Sequence, residues 1–305
     1  RVPSMNPSDL LLPEPVPVSG EGQWFTETMK GVARLAYRVT ETLHTEQSPY
    51  QKIDVYQTAH HGRLLVLDGC VMLTELDEFV YHEMLAHVAA QSVPEAKQAL
   101  VIGGGDGGIV RELLKYPTLN ITQAEIDERV VRVSQKYFPT VSCGLEDPRV
   151  TLAFVDGAQH LADADPGSLD LIAVDSTDPI GAAEALITEG FYGKAARALS
   201  PDGVFVAQTQ SPFYHPTEVC QIYAALQQVF SHVSMYWAIC PSYLGFLWTF
   251  CYASHGLAPK AAKIQADVHK HLGTRYYTSA VHDGAFALPP FLQASLPEGS
   301  PQRDL

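Results

Sequence analysis

The pattern of hydrophobic and polar positions divides the chain into three parts. Residues 1–22 are rich in proline and polar side chains and show no sustained period, which predicts a flexible leader. Residues 23–76 contain short runs of alternating apolar and polar side chains, with turn residues at His61-Gly62 and Asp68-Gly69. Alternation with such turns is typical of antiparallel hairpins. We therefore expect a small N-terminal antiparallel β domain.

From residue 77 to residue 305, apolar runs of strand length alternate with stretches of helical period. This alternation predicts βαβ units and an α/β domain with a mostly parallel sheet. The expected strands are 99–104, 121–126, 150–155, 169–175, 203–208, 233–238 and 246–253. The expected helices are 76–90, which leads into this domain, and 108–116, 127–137, 184–199, 216–230 and 259–271.

The most informative stretch is a short apolar strand, a glycine-rich turn and a helix between Ala99 and Lys115. Gly103, Gly105 and Gly108 satisfy G-x-G-x-x-G, and Glu125 lies 22 residues beyond the first of them, at the end of the next expected strand. An acid at that distance is suited to bind ribose hydroxyls, so the pattern predicts a nucleoside ligand.

Asp106 stands in this turn, where a dinucleotide enzyme would bring its pyrophosphate. Two anions would repel each other there, whereas a nucleoside that carries a cation would be attracted. The formal net charge of -14 argues against a nucleic acid ligand, because nucleic acids require basic surfaces. The same negative charge favours a cationic small molecule. The carboxylate therefore favours a positively charged nucleoside over NAD.

Further carboxylates follow other expected strands, and ligands of open parallel sheets bind beyond such strand ends. Asp156, Asp175 and Asp178 join Asp106 and Glu125 at the same predicted rim. An aspartate after a strand often only caps a helix or a turn, but clustered carboxylates repel one another unless a cation lies between them. No nearby His or Cys shows metal-ligand spacing, so we expect no metal site, although oxygen-only Mg²⁺ coordination stays open.

Two other kinds of chemistry are disfavoured. His82 and His87 are five residues apart, about 140° around a helix, so they do not chelate one zinc ion from one helix face. No serine lies in a G-x-S-x-G turn, and no cysteine has an evident activating partner. An acid-lined nucleoside site is better suited to direct displacement, in which a carboxylate takes the proton of an attacking amine.

Composition limits the setting in which this chemistry occurs. The chain is 46% hydrophobic and has an odd number of scattered cysteines, five in all, which favours a large core and reduced thiols. No apolar run approaches the ~20 residues of a membrane span, and no signal-peptide core precedes the first expected strand. We expect a cytoplasmic protein that binds neither membranes nor nucleic acid.

Several motifs occur in a characteristic order: LVLDG (65–69), LTELDEFVYHEMLAH (73–87), VIGGGDGG (101–108), EID (125–127), DSTDPIG (175–181), FVAQTQSPF (205–213) and RYYTSAVHDGAFALP (275–289). With them the chain resembles the aminopropyltransferases, most closely the bacterial spermidine synthases, from about Gln23 to about Leu296. The resemblance implies a Rossmann-like, methyltransferase-type sheet in the larger domain and a homodimer or homotetramer. It also implies aminopropyl transfer from decarboxylated S-adenosylmethionine, a co-substrate, to putrescine, without a cofactor.

The resemblance also implies roles for individual residues. Asp175 would accept the proton, and Tyr243 would lie beside the attacking nitrogen. Tyr81 and Asp178 would bind the diamine together with these two. The nucleoside site would comprise Gln51, His82, Gly103, Gly105, Asp106, Glu125, Asp156 and Gly157, with Asp106 on the amine of the aminopropyl tail.

Some positions depart from the family pattern on the acceptor side. They are Met72, Ala182, Gln210 and the run Leu244-Gly245-Phe246. Cadaverine, a triamine or agmatine therefore stay open as acceptors. Two other functions also stay open: an S-adenosylmethionine-dependent methyltransferase, which would have a similar nucleoside site, and a polyamine-binding protein without turnover.

Overall fold

The computed structural model describes residues 22–176, 186–258 and 264–303. The chain divides into two compact units, the first ending at Asp77 and the second beginning at Glu78. In the described residues, no helix has both the length and the apolar character needed to cross a bilayer.

The first unit contains one five-stranded antiparallel sheet, which confirms the predicted hairpins. Its strands pair in chain order: β1 (Gln23–Met29), β2 (Ala33–Gln47), β3 (Lys52–Thr58), β4 (Arg63–Leu67) and β5 (Cys70–Thr74). Asp68 and Gly69 form the two-residue turn between β4 and β5, and both have positive φ angles, 49° and 85°. Such a turn matches the right-handed twist of its strands.

The second unit is built on a seven-stranded sheet, and it confirms the predicted α/β architecture. The strands are β6 (Gln98–Gly103), β7 (Asn120–Ala124), β8 (Val150–Ala153), β9 (Leu169–Asp175), β10 (Leu199–Gln210), β11 (His232–Ile239) and β12 (Leu247–Ser254). Their order is β11-β12-β10-β9-β6-β7-β8. β12 runs antiparallel to its two neighbours, and the other pairs are parallel.

Helices cover both faces of this sheet. They are α1 (Glu78–Ser92), α2 (Gly108–Leu113), α3 (Glu128–Tyr137), α4 (Gly157–Asp163), α5 (Glu189–Ala198), α6 (Pro216–Gln227), α7 (Val268–Leu272), α8 (Ser279–Ala285) and α9 (Pro290–Ser295). Val101 of β6 packs into an apolar cluster with α1, whereas its neighbour Ile102 packs into a second cluster with α5. Alternate side chains of one strand thus reach opposite layers.

Five helices differ from the prediction, and two of them, α8 and α9, lie beyond the last expected helix and were not expected. The short helix α4 was not expected, because its sequence GAQHLAD carries little apolar periodicity and forms behind the cap of Asp156. Helix α5 begins only at Glu189, after the Thr188 cap, and residues 184–185 of the expected helix lie outside the described residues. The helix expected at 259–271 is wrong over 264–267, which precede α7, and residues 259–263 lie outside the described part of the chain.

Candidate active site

The glycine-rich turn after β6 needs glycine for two separate reasons. Gly103, Gly104 and Gly107 have φ angles of 79°, 64° and 83°, a region that side chains disfavour. Gly105 and Gly108 are needed for space instead: a Cβ on Gly105 would lie 3.1 Å from Oε2 of Glu125, and one on Gly108 would lie 2.2 Å from Cε1 of His82. The fingerprint predicted only three of these five glycines.

The same turn lies directly against Asp175, the last residue of β9. Gly103 pairs with Asp175 in the sheet, and the backbone N–H of Gly104 donates to the Asp175 carbonyl over 3.0 Å. A Cβ on Gly104 would lie 2.9 Å from Oδ2 of the same aspartate. The absence of side chains on the turn therefore brings Glu125, Asp175 and His82 around one loop.

Asp106 uses one of its carboxylate oxygens within the protein. Oδ1 accepts a 2.7 Å hydrogen bond from the backbone N–H of Gly108 and lies 3.2 Å from Nε2 of His82. Burial, the largest single influence, acts to raise the pKa of Asp106, but the charge of His82 and the hydrogen bonds from His82 and Gly108 together lower it, so the carboxylate is ionised. Because both of these contacts with described residues end on Oδ1, Oδ2 is oriented by them and can accept from a ligand.

His82 is held from its other side by two residues that the sequence analysis did not identify. Its Nδ1 lies 2.5 Å from Oε2 of Glu78, one turn earlier on α1. The Arg111 guanidinium of α2 donates to both oxygens of Glu78, at 2.9 Å each. Burial would lower the pKa of His82, but Asp106 and Glu78 together raise it to about 10.

Asp175 is a carboxylate suited to accept a proton near neutral pH. The Tyr81 hydroxyl donates to its Oδ1 over 2.6 Å. Burial, followed by the negative charge of Asp106, raises the pKa of Asp175 to about 7. The next residue, Ser176, is fixed by a 2.9 Å hydrogen bond from the Gln208 side chain to its carbonyl.

Aromatic rings line the approach to Asp175. The Tyr243 ring meets Tyr81 edge-on with 5.7 Å between centroids and packs 4.6 Å from Trp248. Tyr243 lies in the β11–β12 connection, where Gly245 and Phe246 have φ angles of 97° and 58°. The departure from the family pattern therefore has a distinct backbone shape, with Leu244 buried and Phe246 exposed.

Glu125 follows β7 and likewise keeps one oxygen unused by its own backbone environment. Oε1 accepts a 2.8 Å hydrogen bond from the N–H of Asp127, and Asp127 in turn caps α3. Oε2 is the atom that faces Gly105. Burial raises the pKa of Glu125 to about 7, although the Asp127 hydrogen bond opposes this effect.

Asp156 has a local structural task. It is exposed, and its Oδ1 accepts from the N–H groups of Ala158 and Gln159 at 2.8 and 3.3 Å, capping α4. A Cβ on Gly157 would lie 2.4 Å from Cγ2 of Ile102, so glycine lets this helix start close to β6. The adenine contacts of both residues stay a prediction.

The remaining predicted residues belong to the first unit, to the end of β10 or to residues that the structure does not describe. Gln51 and Met72 belong to the first unit, Gln51 directly before β3 and Met72 within β5, and the role of Gln51 in the site stays a prediction. Gln210 is buried at the end of β10 with a φ angle of 89°. Asp178 and Ala182 lie outside the described residues.

One premise of the metal argument was wrong. Sequence spacing showed no histidine near the acids, yet folding places ligand-type atoms of His82, Asp106 and Asp175 within 4.8 Å of one another. Both ring nitrogens of His82 face carboxylate oxygens, Nδ1 at 2.5 Å from Glu78 and Nε2 at 3.2 Å from Asp106, so each nitrogen is placed to donate a proton. A protonated nitrogen offers no lone pair to a metal, so the group fits an organic cation better.

Comparisons with known proteins identify the family that builds such a site. The spermine/spermidine synthase domain matches residues 78–262, and the spermidine synthase tetramerisation domain matches residues 23–75. The polyamine aminopropyltransferase of Moorella thermoacetica is 43% identical over 278 residues, covering 90% of this chain and 96% of its own. That of Bacillus mycoides is 42% identical over 270 residues, covering 88% and 97%.

Solved structures agree with these matches. A spermidine synthase in complex with the transition-state analogue AdoDATO superposes with a TM-score of 0.88 at 35% identity, covering 94% of this chain and 98% of its own. The spermidine synthase from Thermotoga maritima gives 0.85 at 33% identity, with coverages of 94% and 97%. The chain therefore belongs to the spermine/spermidine synthase family of polyamine aminopropyltransferases.

Proposed function

We propose that the protein transfers the aminopropyl group of decarboxylated S-adenosylmethionine to putrescine, giving spermidine and 5'-methylthioadenosine. The observation that carries this proposal is the environment of Asp175. Its carboxylate accepts from Tyr81 at 2.6 Å, lies beside Asp106 and has its pKa raised to about 7. The relatives named polyamine aminopropyltransferase and the spermidine synthase bound to a transition-state analogue support the same reaction class.

The donor nucleoside is bound through its cationic and hydroxyl groups. Oδ2 of Asp106 accepts from the ammonium of the aminopropyl tail, while Oδ1 stays bound to Gly108. Ribose hydroxyls donate to Oε2 of Glu125, whose other oxygen accepts from Asp127. S-adenosylmethionine itself carries a carboxylate near this ammonium, and repulsion from Asp106 disfavours it.

The reaction is a direct displacement at an activated carbon. Putrescine arrives with both amines protonated, since such amines have a pKa near ~10. Asp175 takes one proton from the attacking nitrogen, whose lone pair then forms a bond to the carbon attached to sulfur. The carbon–sulfur bond breaks and its electron pair stays on sulfur, which becomes the neutral thioether of 5'-methylthioadenosine. The product nitrogen keeps the positive charge, so one proton is released per turnover.

The acceptor is oriented by aromatic rings and by carboxylates. Methylene groups of the diamine pack on Tyr81 and Tyr243, and a ring face also attracts an ammonium. The far ammonium stays charged, because only the attacking end must lose its proton. Asp178 is the residue proposed, from the family resemblance, to bind that far end.

A mass-spectrometric transfer assay tests the proposal directly. We expect purified protein with both substrates to form spermidine and 5'-methylthioadenosine, also in the presence of a chelator. Asp175→Asn is expected to lower kcat by at least about 10²-fold, the usual effect of losing a general base. Asp170→Asn is the matched control, because Asp170 lies on the same strand and binds the backbone N–H of Lys97 at 2.8 Å.

The pH dependence of kcat/KM distinguishes a residue that accepts the proton from one that only contacts the substrate. Since Asp175 must be ionised and its pKa is raised to about 7, kcat/KM should rise as pH increases through that value. Full activity in Asp175→Asn, or a profile that is flat between pH 5 and 8, would contradict the assigned role.

An acceptor screen over diamines, triamines and agmatine tests putrescine, and methyl transfer from S-adenosylmethionine would contradict the donor assignment.

A further inference from the structure

We propose that Glu78 and Arg111 are positioning residues that hold His82 against Asp106, so that Asp106 presents Oδ2 to the cationic tail of the donor nucleoside. This inference rests on the proposed function and extends it to residues that touch no substrate. The four side chains form one continuous series of charged contacts that runs from α2 through α1 to the glycine-rich turn.

Each contact in the series restrains the next. Arg111 donates from two nitrogens to the two oxygens of Glu78, and such a bidentate pair fixes the plane of the carboxylate. Nδ1 of His82 then lies 2.5 Å from Oε2 of Glu78, and this contact sets the rotation of the imidazole ring. Nε2 consequently points at Oδ1 of Asp106, at 3.2 Å.

Close packing prevents the ring from taking another position. His82 is 2% exposed, and a Cβ on Gly108 would lie 2.2 Å from its Cε1 atom. The N–H of Gly108 also donates to Oδ1 of Asp106 over 2.7 Å. The imidazole edge and this N–H therefore act on the same oxygen, and the other oxygen is turned away from both.

The charges of the series also favour a cationic ligand. Glu78 compensates the positive charge of the His82 imidazolium, so an ammonium at Asp106 does not meet an isolated cation. In Glu78→Gln, His82 either stays protonated without that compensation and repels the ammonium, or it becomes neutral and its ring is no longer held by Glu78 with Nε2 at Oδ1. Both states weaken donor binding, whereas Asp175 keeps its hydrogen bond from Tyr81.

Calorimetry and turnover on Glu78→Gln test the inference. We expect the Kd for decarboxylated S-adenosylmethionine to rise about tenfold or more, the effect of losing a hydrogen bond to a charged group. At saturating donor, kcat should stay within about twofold of the wild type, because the proton acceptor is intact. NMR titration of the His82 ring should show its pKa falling, since a neighbouring carboxylate is lost.

Glu83→Gln is the matched control on the same helix. Glu83 is more buried than Glu78, but it accepts from the backbone N–H groups of Arg275, Tyr276 and Tyr277 at 2.8 Å each and does not belong to the series. We expect this variant to lower the melting temperature and to leave the donor Kd unchanged. Equal changes in Kd in both variants would show a general effect of destabilising α1 and overturn the inference.

Arg111→Lys provides a second test if Glu78→Gln does not fold. Lysine keeps the charge but offers no planar fork, so we expect an intermediate rise in donor Kd. Unchanged donor Kd values in the folded variants, or a loss confined to kcat, would overturn the inference. A wild-type protein that binds no donor would instead overturn the proposed function, while the His82 titration still tests the contact with Glu78.

Discussion

Helix α1 carries two buried histidines that each meet a carboxylate, and the two pairs have opposite surroundings. The site pair consists of His82 and Asp106, and the interior pair consists of His87 and Glu112. His87 Nε2 lies 2.9 Å from Oε2 of Glu112, and its Nδ1 lies 3.0 Å from the Tyr116 hydroxyl. In the described residues, protein groups contact both ring nitrogens of His87 and both carboxylate oxygens of Glu112. The carboxylate of the site pair instead belongs to the glycine-rich turn after β6.

The difference lies in how far each carboxylate is already used. Glu112 also accepts from Nε of Arg111 at 2.9 Å and from Nζ of Lys115 at 2.5 Å, so both its oxygens are engaged. Its side chain is 3% exposed, against 13% for Asp106. A saturated carboxylate can only stabilise the fold, and one with an unused oxygen can bind a ligand. A histidine and a carboxylate thus stabilise the fold at one place on α1 and can bind a ligand at the other.

The largest expected effect is on the interior pair. Glu112→Ala removes the buried carboxylate that contacts His87, Arg111 and Lys115. We expect the free energy of unfolding to fall by about 3 kcal/mol, the usual effect of removing one member of a buried charged cluster. Urea denaturation at pH 7 measures this loss. Because the pKa of Glu112 is lowered in the folded protein, its stabilisation is present above pH 4.5 and fades as pH falls further, so the difference from the wild type should shrink in acid.

Activity assays on the folded fraction of Glu112→Ala complete that test. We expect kcat and the donor KM to be close to wild type, because Arg111 keeps its fork on Glu78. Glu128→Ala breaks the exposed pair of α3 and should cost less than about 1 kcal/mol. A large rise in donor KM in Glu112→Ala would mean that the two pairs are coupled and would end the distinction between them.

Substitution in the site pair should have the opposite pattern of effects, with a large loss of activity and a small change in stability. Asp106→Asn removes the charge that meets the donor ammonium, and we expect kcat/KM for the donor to fall about 10²-fold, which corresponds to ~2.7 kcal/mol. The free energy of unfolding should change by less than about 1 kcal/mol, because Glu78 still compensates His82.

Calorimetry on Asp106→Asn also tests selectivity between nucleosides. The preference for decarboxylated S-adenosylmethionine over S-adenosylmethionine should narrow, since the repulsion against the extra carboxylate is gone. Asp147→Asn, in a loop where the carboxylate pairs with Arg149, is the control and should leave the preference unchanged. An Asp106→Asn protein with undiminished preference would remove Asp106 from the selection of the donor.

The comparison also explains what the sequence could predict. Strand β9 occupies the predicted range 169–175, because a run of consecutive apolar residues and the following acid mark it locally. Asp106, Glu125 and Asp175 were found for the same reason, since each lies at or within three residues of a strand end. Gly104 and Gly107 were missed, because a spacing motif counts glycines and does not show which of them has positive φ.

Contacts across long stretches of chain could not be predicted in this way. Arg111 lies 33 residues from Glu78, and although each falls in a stretch singled out above, no spacing rule links the two. The prediction placed both histidines on one helix and rightly separated their directions, but no sequence pattern indicates that each faces a carboxylate. Charged residues on helices are usually solvated, so only packing of α1 against α2 distinguishes these from a polar surface.

The smallest expected effects come from two tyrosines, one beside each pair. Tyr81→Phe removes the hydroxyl that donates to Asp175 at 2.6 Å, and kcat should fall about tenfold, or ~1.4 kcal/mol. The hydrogen bond from Tyr81 lowers the pKa of Asp175, so its loss should move the rise in activity to higher pH.

Tyr116→Phe is the matched change beside the interior pair. It removes a hydroxyl that contacts His87 and Gln91, at 3.0 Å each, and should cost about 1 kcal/mol of stability, the usual net value of such a hydrogen bond. Its pH profile should coincide with that of the wild type, because Tyr116 contacts no group of the site. A shifted profile in Tyr116→Phe, or an unshifted one in Tyr81→Phe, would show that the hydroxyl beside Asp175 does not control its ionisation.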